Sequence, residues 1–319
     1  MPSLCFECHE EHDIAVHEFE HDPVSEGFCT DCHDPHSSSR SQLLVASGAA
    51  LCASCHEDII EEIAESEYVH DPAEDDCTDC HQPHGGSNPY LLIAERRELC
   101  RECHDDLVEL AEDASVKHAS VLEGDACLRC HSPHSASEEA LLRRPQIDLC
   151  LGCHNRPKRW GESEPVLADI RARLDANPEW HEPIREGGCT ECHAPHGSEN
   201  QRLLSKAFPQ GFYTSFAAEK YGLCFSCHEA TLATPERTRT QTGFRDGDLN
   251  LHFVHVNREK RGRSCRVCHD MHAGDAPAQI HQKVRFGKWL LPVGFEKAET
   301  GGSCHPGCHE AEEYDRERQ

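Results

Sequence analysis

One pattern constrains this chain more than any other. Two cysteines separated by two residues and followed at once by histidine, C-x-x-C-H, occur ten times, and an eleventh copy is one residue longer. The stretch Cys77-Thr78-Asp79-Cys80-His81-Gln82-Pro83-His84 is representative and adds a second histidine three residues on. The regular copies use Cys5 and Cys8, Cys29 and Cys32, Cys52 and Cys55, Cys77 and Cys80, Cys100 and Cys103, Cys127 and Cys130, Cys150 and Cys153, Cys189 and Cys192, Cys224 and Cys227, and Cys265 and Cys268. The long copy is Cys304-His305-Pro306-Gly307-Cys308-His309, and together the motifs account for all 22 cysteines. None remains for a disulfide or a catalytic thiol.

Two thiols at this spacing can form thioethers with the vinyl groups of a porphyrin, while the histidine that follows is held beneath the iron. The competing reading is a set of zinc knuckles. Four-cysteine zinc sites consume pairs two at a time, and eleven is odd. A histidine also follows every pair, although only 26 of 319 residues are histidine. The motifs therefore specify eleven haem c groups, with His9, His33, His56, His81, His104, His131, His154, His193, His228, His269 and His309 as proximal ligands.

The motifs alternate between two kinds, the signature of an internal repeat. One kind has leucine directly before the first cysteine: Leu4, Leu51, Leu99, Leu149 and Leu223. The other carries a trailing histidine, His36, His84, His134, His196 or His272, and is preceded by an upstream histidine, His21, His70, His118, His181 or His255. A leucine pair follows seven residues after the trailing histidine, at Leu43, Leu91, Leu141 and Leu203; in the fifth unit the gap is read as stretching to Leu290. Residues 1–148 thus form three compact units, and residues 149–319 form two expanded units closed by the lone Cys304 motif. The added length includes Arg156 to Trp180, with a helix-like stretch from Pro165 to Leu174, and an aromatic segment from Phe208 to Tyr221.

Each unit supplies two motifs and two spare histidines, the number two six-coordinate irons require. The ten repeated histidines are therefore read as distal ligands. A trailing histidine lies too close to its own proximal residue to reach the opposite face of the same ring, so it must serve a neighbour, and neighbouring haems become one continuous chain. Methionine offers no competition, since only Met1 and Met271 occur. Histidine-only ligation implies low reduction potentials, and saturated irons favour electron transfer over catalysis. The Cys304 haem lacks a distal ligand from the repeat, leaving His12, His17, His252, His281, His305 or no ligand.

Only 6% of residues are aromatic, so a protein-only core would be thin. Covalent porphyrins supply the missing apolar bulk, and the haem-free chain is expected to be largely unfolded. Apolar residues recur at helical spacing in Asp58 to Ser66 and Asp105 to Ala114, which read as short helices over haem faces. The fold class expected is mostly irregular with short α-helices, an elongated chain wrapped around its haems with little or no sheet. The net charge of −27 argues against nucleic acid as a partner. No apolar run is long enough for a transmembrane helix. Covalent haem attachment resembles chemistry done outside the cytoplasm, so the chain is read as processed, its export signal removed.

Cys29-Thr30-Asp31-Cys32-His33-Asp34-Pro35-His36 and Leu51-Cys52-Ala53-Ser54-Cys55-His56 resemble the two alternating halves of multihaem c-type cytochromes with doubled C-x-x-C-H motifs. That family includes decahaem cytochromes held in outer-membrane porins as conduits, and the chain is also similar to extracellular cytochromes that polymerise into filaments. The resemblance implies a non-enzymatic conduit between cell-envelope donors and extracellular acceptors, located outside the cell or at its surface. Its partners would be other redox proteins and, in a filament, further copies that exchange histidines. A periplasmic porin-held conduit and a terminal reductase with one open haem are the alternatives, and no C-x-x-C-K variant supports the latter.

Overall fold

The attachment motifs form tight helical turns. In each regular motif described, the histidine N–H donates to the carbonyl of the first cysteine four residues back, as from His33 to Cys29 (3.0 Å), His81 to Cys77 (3.0 Å) and His228 to Cys224 (2.9 Å). One turn of this kind brings both thiols to one side of the backbone. The leucine-preceded motifs at Cys52, Cys100 and Cys150 sit in helices Ala49–Cys52, Arg96–Asp113 and Gln146–Leu151. The histidine-trailed motifs are single 3₁₀ turns such as Cys29–Asp31 and Cys77–Asp79. The extra residue in the eleventh motif changes its backbone, since Cys304 ends the strand Gly301–Cys304.

The computed structural model describes residues 2–10, 14, 17–157 and 167–319. His12 lies outside them, as does the start of the helix-like stretch expected from Pro165. Its remainder forms helix Ile170–Ala176, which Asp169 caps by accepting from the Ala172 N–H (2.8 Å). The helix expected over Asp58 to Ser66 is Glu57–Glu65, with Ile60 and Ile63 along an open cleft shared with Val69 and Ala73. The one expected from Asp105 is longer. It continues from the preceding motif as Arg96–Asp113, bent at His104, and Arg97 and Arg101 both bind Glu112 across it. Among the described residues no helix is long and apolar enough to cross a membrane.

The chain divides into two compact units, residues 1–112 with 118–145, and residues 113–117 with 146–319. Most of both is irregular, stitched by antiparallel pairs of two-residue strands. Phe19–Glu20 pairs with Gly85–Gly86, Tyr68–Val69 with Ser135–Ala136, and Glu179–Trp180 with Ala273–Gly274. Each pair joins the residues just before an upstream histidine to those just after the trailing histidine of a later unit. Gly85 is needed for this approach: its φ is +142°, and a Cβ there would lie 2.6 Å from Cδ2 of His17.

Longer strands occur near the C-terminus. Lys283–Phe286 pairs with Trp289–Pro292, and Phe295–Lys297, Gly301–Cys304 and Glu312–Asp315 form a three-stranded sheet. The sheet stays small and scattered, in keeping with the mostly irregular, short-helix fold expected, and strands of three or four residues are too short to show a period-two signal. Leu290 belongs to this hairpin, which corrects the reading of the fifth unit. The turn that follows the trailing histidine there is at Gln279 and Ile280, seven residues after His272 as in the other units. Position was retained while the leucines were not.

Buried apolar clusters form in the second unit, where the insertions supply them. Leu151, Leu174 and Ala273 pack with Ile147, Ile170, Trp180 and Ile184. Tyr221, Ala233 and Val256 pack with Phe216 and Phe225. The polypeptide as a whole exposes 20415 Å². A folded monomer of 35.8 kDa is expected to expose about 13,000 Å². The chain by itself therefore exposes about half again the area expected of a self-sufficient monomer of its mass.

Candidate haem sites

Histidine rings meet in facing pairs throughout both units. In the first unit His21 faces His56 (ring centroids 6.1 Å), His33 faces His84 (6.0 Å), His70 faces His104 (6.2 Å) and His81 faces His134 (6.2 Å). In the second, His181 faces His228 and His193 faces His272, both at 6.2 Å, while His252 faces His269 and His255 faces His309, both at 6.5 Å. A metal–imidazole bond is about 2.0 Å and a ring centroid lies roughly 1.1 Å beyond its nitrogen, so two imidazoles across one metal ion stand about 6.2 Å apart. The observed separations fit an iron between each pair, and are too long for direct ring contact.

The pairing follows a rule of register. An upstream histidine reaches forward to the next leucine-preceded motif: His21 to His56, His70 to His104, His181 to His228. A trailing histidine reaches back to the previous histidine-trailed motif: His84 to His33, His134 to His81, His272 to His193. His84 therefore meets a ring of the preceding unit and not its own His81. His118, His131, His154 and His196 are engaged as well.

The last motifs depart from this rule. The sequence left His255 to the repeat and His252 as one candidate for the Cys304 motif; the structure sets His252 against His269 and His255 against His309. Both lie on helix Leu251–Val256, three residues apart and so on one side of it, which lets one helix serve two motifs. Phe244 packs against both rings at 5.1 and 5.8 Å. The sequence signal was present in the His-x-x-His spacing on an apolar segment.

Ring orientation is set by hydrogen bonds at Nδ1. His33, His81, His131, His193 and His269 each donate to a backbone carbonyl nine residues on, those of Gln42, Tyr90, Ala140, Arg202 and Ala278, at 2.7–3.0 Å. A proton held at Nδ1 leaves Nε2 with its lone pair free for a metal. All five acceptor residues have positive φ, 50–62°, although none is glycine. Backbone in this region is costly for such residues and persists where its surroundings dictate it. Here the strained turn aims a carbonyl at the proximal ring. His21 and His70 are held likewise by the carbonyls of Pro83 (2.6 Å) and Pro133 (2.8 Å).

Burial keeps several of these rings neutral, the form that binds a metal. It pushes His252 and His272 down to about 4, the latter despite the nearby Asp270 carboxylate. Asp270 is itself buried and is balanced by Arg173 at 3.3 Å. His281 lies 3.9 Å from Asp270.

The thiols connect the motifs in order. The first cysteines of successive motifs lie near one another in each repeat, Cys5 with Cys29, Cys52 with Cys77, Cys100 with Cys127, Cys150 with Cys189, and Cys224 with Cys265. Second cysteines are neighbours across the next boundary, Cys32 with Cys55, Cys80 with Cys103 and Cys192 with Cys227, while Cys268 lies near both cysteines of the last motif, Cys304 and Cys308. Beside the His70 and His104 rings an open cleft is lined by Cys103, Val69, Pro72 and Leu141. A thiol, two facing imidazoles and apolar walls are what a covalently held porphyrin needs.

Among the described residues no ring faces His9, His17, His36, His281 or His305. His17 rests on Gly85, where the next unit has the Ser66 hydroxyl donating to Ser135 (3.0 Å). It fills a packing position there.

A family model for the doubled CXXCH motif matches residues 21–61, 70–109, 118–159 and 181–233. Each match begins at an upstream histidine and runs through the next leucine-preceded motif, the same span that the forward ring pairing closes. No curated protein matches the chain. With the matches covering more than half of its length and its histidines set in pairs at iron-spanning distance, the chain belongs to the doubled CXXCH motif family and is a multihaem c-type electron-transfer cytochrome.

Proposed function

We propose that the chain carries eleven haem c groups, one per motif, and passes electrons along them between donors in the cell envelope and acceptors outside the cell, as one section of a longer relay. The observation that supports this most directly is the separation of 6.0–6.5 Å in every facing ring pair. Haem c supplies one-electron chemistry at the iron. The chain's own residues hold it by two thioethers, fix it between two imidazoles and orient those rings through Nδ1. An iron with two histidines offers a substrate no coordination position, so the role is transfer and not turnover. Axial histidine without methionine keeps the potentials low. The succession of neighbouring thiols runs in sequence order within each unit, which sets neighbouring carriers side by side.

Intact mass and pyridine haemochrome absorbance should give eleven haems per chain, with a low-spin spectrum dominating. A clearly smaller haem count, or bound zinc in its place, would refute the reading. The assignment of the last two irons has its own test. His252→Ala should open the iron of the Cys265 motif and His255→Ala that of the Cys304 motif, each variant taking up one more carbon monoxide per chain than the native protein when reduced. No change in uptake would return the Cys304 ligand to the other candidates.

A further inference from the structure

Resting on the haem-bearing reading above, we infer that Arg173 and Asp270 form a charge pair that sets the reduction potential of the haem on Cys189 and Cys192, acting through its distal ligand His272. Two irons meet at this segment. His269 is the proximal ring of the Cys265 motif, and His272, three residues on, faces His193 at 6.2 Å. Asp270 stands between them in the chain. Among the described residues it is the only Asp, Glu, Lys or Arg that is buried, at 8% exposure.

The carboxylate is held from three directions. Its Oδ1 accepts from the backbone N–H of His272 (2.9 Å) and lies 3.9 Å from Nδ1 of the same residue. Arg173 Nη1 stands 3.3 Å from both carboxylate oxygens, and His281 Nδ1 lies 3.9 Å from Oδ2. The guanidinium arrives on the insertion of the fourth unit. Helix Ile170–Ala176 starts at the seventh motif, where the His154 carbonyl accepts from the Ile170 N–H (3.0 Å), and it buries Leu174 against Ala273, the neighbour of His272. The inserted helix therefore delivers one fixed cation to one distal ligand. At the position of Asp270 the other units have Asp34, Gln82, Ser132 and Ala194. Asp34 keeps the hydrogen bond to the backbone N–H of its trailing histidine, His36 (3.0 Å), but it is not buried. Solvent screens a charge placed as Asp34 is, and screens one placed as Asp270 is far less.

The sign of the effect follows from charge. Oxidation removes one electron and leaves one more positive charge at the iron. A carboxylate beside an axial ligand stabilises that charge and a guanidinium opposes it, and a buried site strengthens both effects. Asp270 bonds to His272 itself, whereas Arg173 meets the ligand across Asp270. The carboxylate therefore dominates and holds this haem at a lower potential than its two histidines alone would give. Arg173 limits the depression and compensates a carboxylate that would be costly to bury unpaired. One carrier of the second unit is in this way set apart in its affinity for an electron.

The test is a spectroelectrochemical titration of the purified holoprotein at pH 8, where His281, lowered by burial, is neutral and adds no charge. Asp270→Asn keeps an acceptor for the His272 N–H and removes the charge. It should raise the potential of one haem in eleven, changing its oxidised-to-reduced ratio roughly tenfold, about 59 mV for one electron. Arg173→Gln should lower the same component, and Arg173→Lys, which keeps the charge, should leave it at the native value. In a Cys189→Ala/Cys192→Ala background Asp270→Asn should shift nothing, which assigns the component to that haem. Haem count and a low-spin spectrum, checked in every variant, separate a charge effect from loss of a ligand. Unchanged potentials in Asp270→Asn, shifts of one sign from both charge-removing variants, or a shift that persists without Cys189 and Cys192 would overturn the inference. Should Asp270→Asn fail to assemble, Arg173→Gln decides alone, and an upward shift or none would overturn it. Absence of haem from Cys189 and Cys192 in the native protein would instead overturn the haem-bearing reading, so the two failures are separable.

Discussion

Produced without haem, the chain is expected to have no cooperative fold. Its surface of 20415 Å² is about half again what its mass allows a self-sufficient domain. Side chains that ought to be core, among them Leu43, Val45, Ile59, Leu107 and Leu110, are 37–45% exposed. The two-residue strands cannot hold the structure either, since even a full hairpin is marginal in water. Haem attachment supplies the apolar bulk and ties distant segments together through paired rings, so its free energy is folding free energy. Expression in a host without the attachment machinery should give a coil-like circular dichroism spectrum, no thermal transition and rapid proteolysis. Hydrogen exchange should show residual protection confined to the second unit, around Tyr221 and Leu174, where protein packs on protein. A cooperative transition in the haem-free chain would show that the polypeptide stores its own stability.

His84→Ala is expected to open an iron that its own motif does not hold. His84 faces His33 at 6.0 Å, so the vacated position belongs to the haem on Cys29 and Cys32 and not to that on Cys77 and Cys80. The reduced variant should bind one carbon monoxide beyond the native protein and show a matching high-spin fraction, about one iron in eleven, because loss of one axial ligand frees one site. Adding Cys29→Ala and Cys32→Ala should remove that extra binding, while Cys77→Ala and Cys80→Ala should leave it. The opposite pattern would mean that trailing histidines serve their own motif. The change should also weaken the first unit, because the strand pairing of Gly85–Gly86 with Phe19–Glu20 brings His84 to that iron.

Much of the site was legible in the residues. Covalent attachment fixes two thiols and a histidine within five positions, and such local chemistry must appear in the sequence. That the trailing histidine serves another motif followed from steric reach alone. Which motif it serves did not, because the answer depends on strand pairings between residues 65 to 95 positions apart, such as Glu20 with Gly85 and Trp180 with Ala273. Helix Leu251–Val256 shows the same limit: two histidines three apart were visible, but their partners, His269 and His309, are set by how the helix packs. The small C-terminal strands leave the expected, mostly irregular fold class intact, and they are too short to carry a period.

The sequence by itself determined the number of attachment motifs, the two-histidine supply and the alternation of motif types, since each rests on contacts within a few residues. Only the tertiary structure decided the register. It placed rings from different units face to face and set His255 opposite His309 of the Cys304 motif. These outcomes depend on which segments pair across the chain, and no local spacing encodes that.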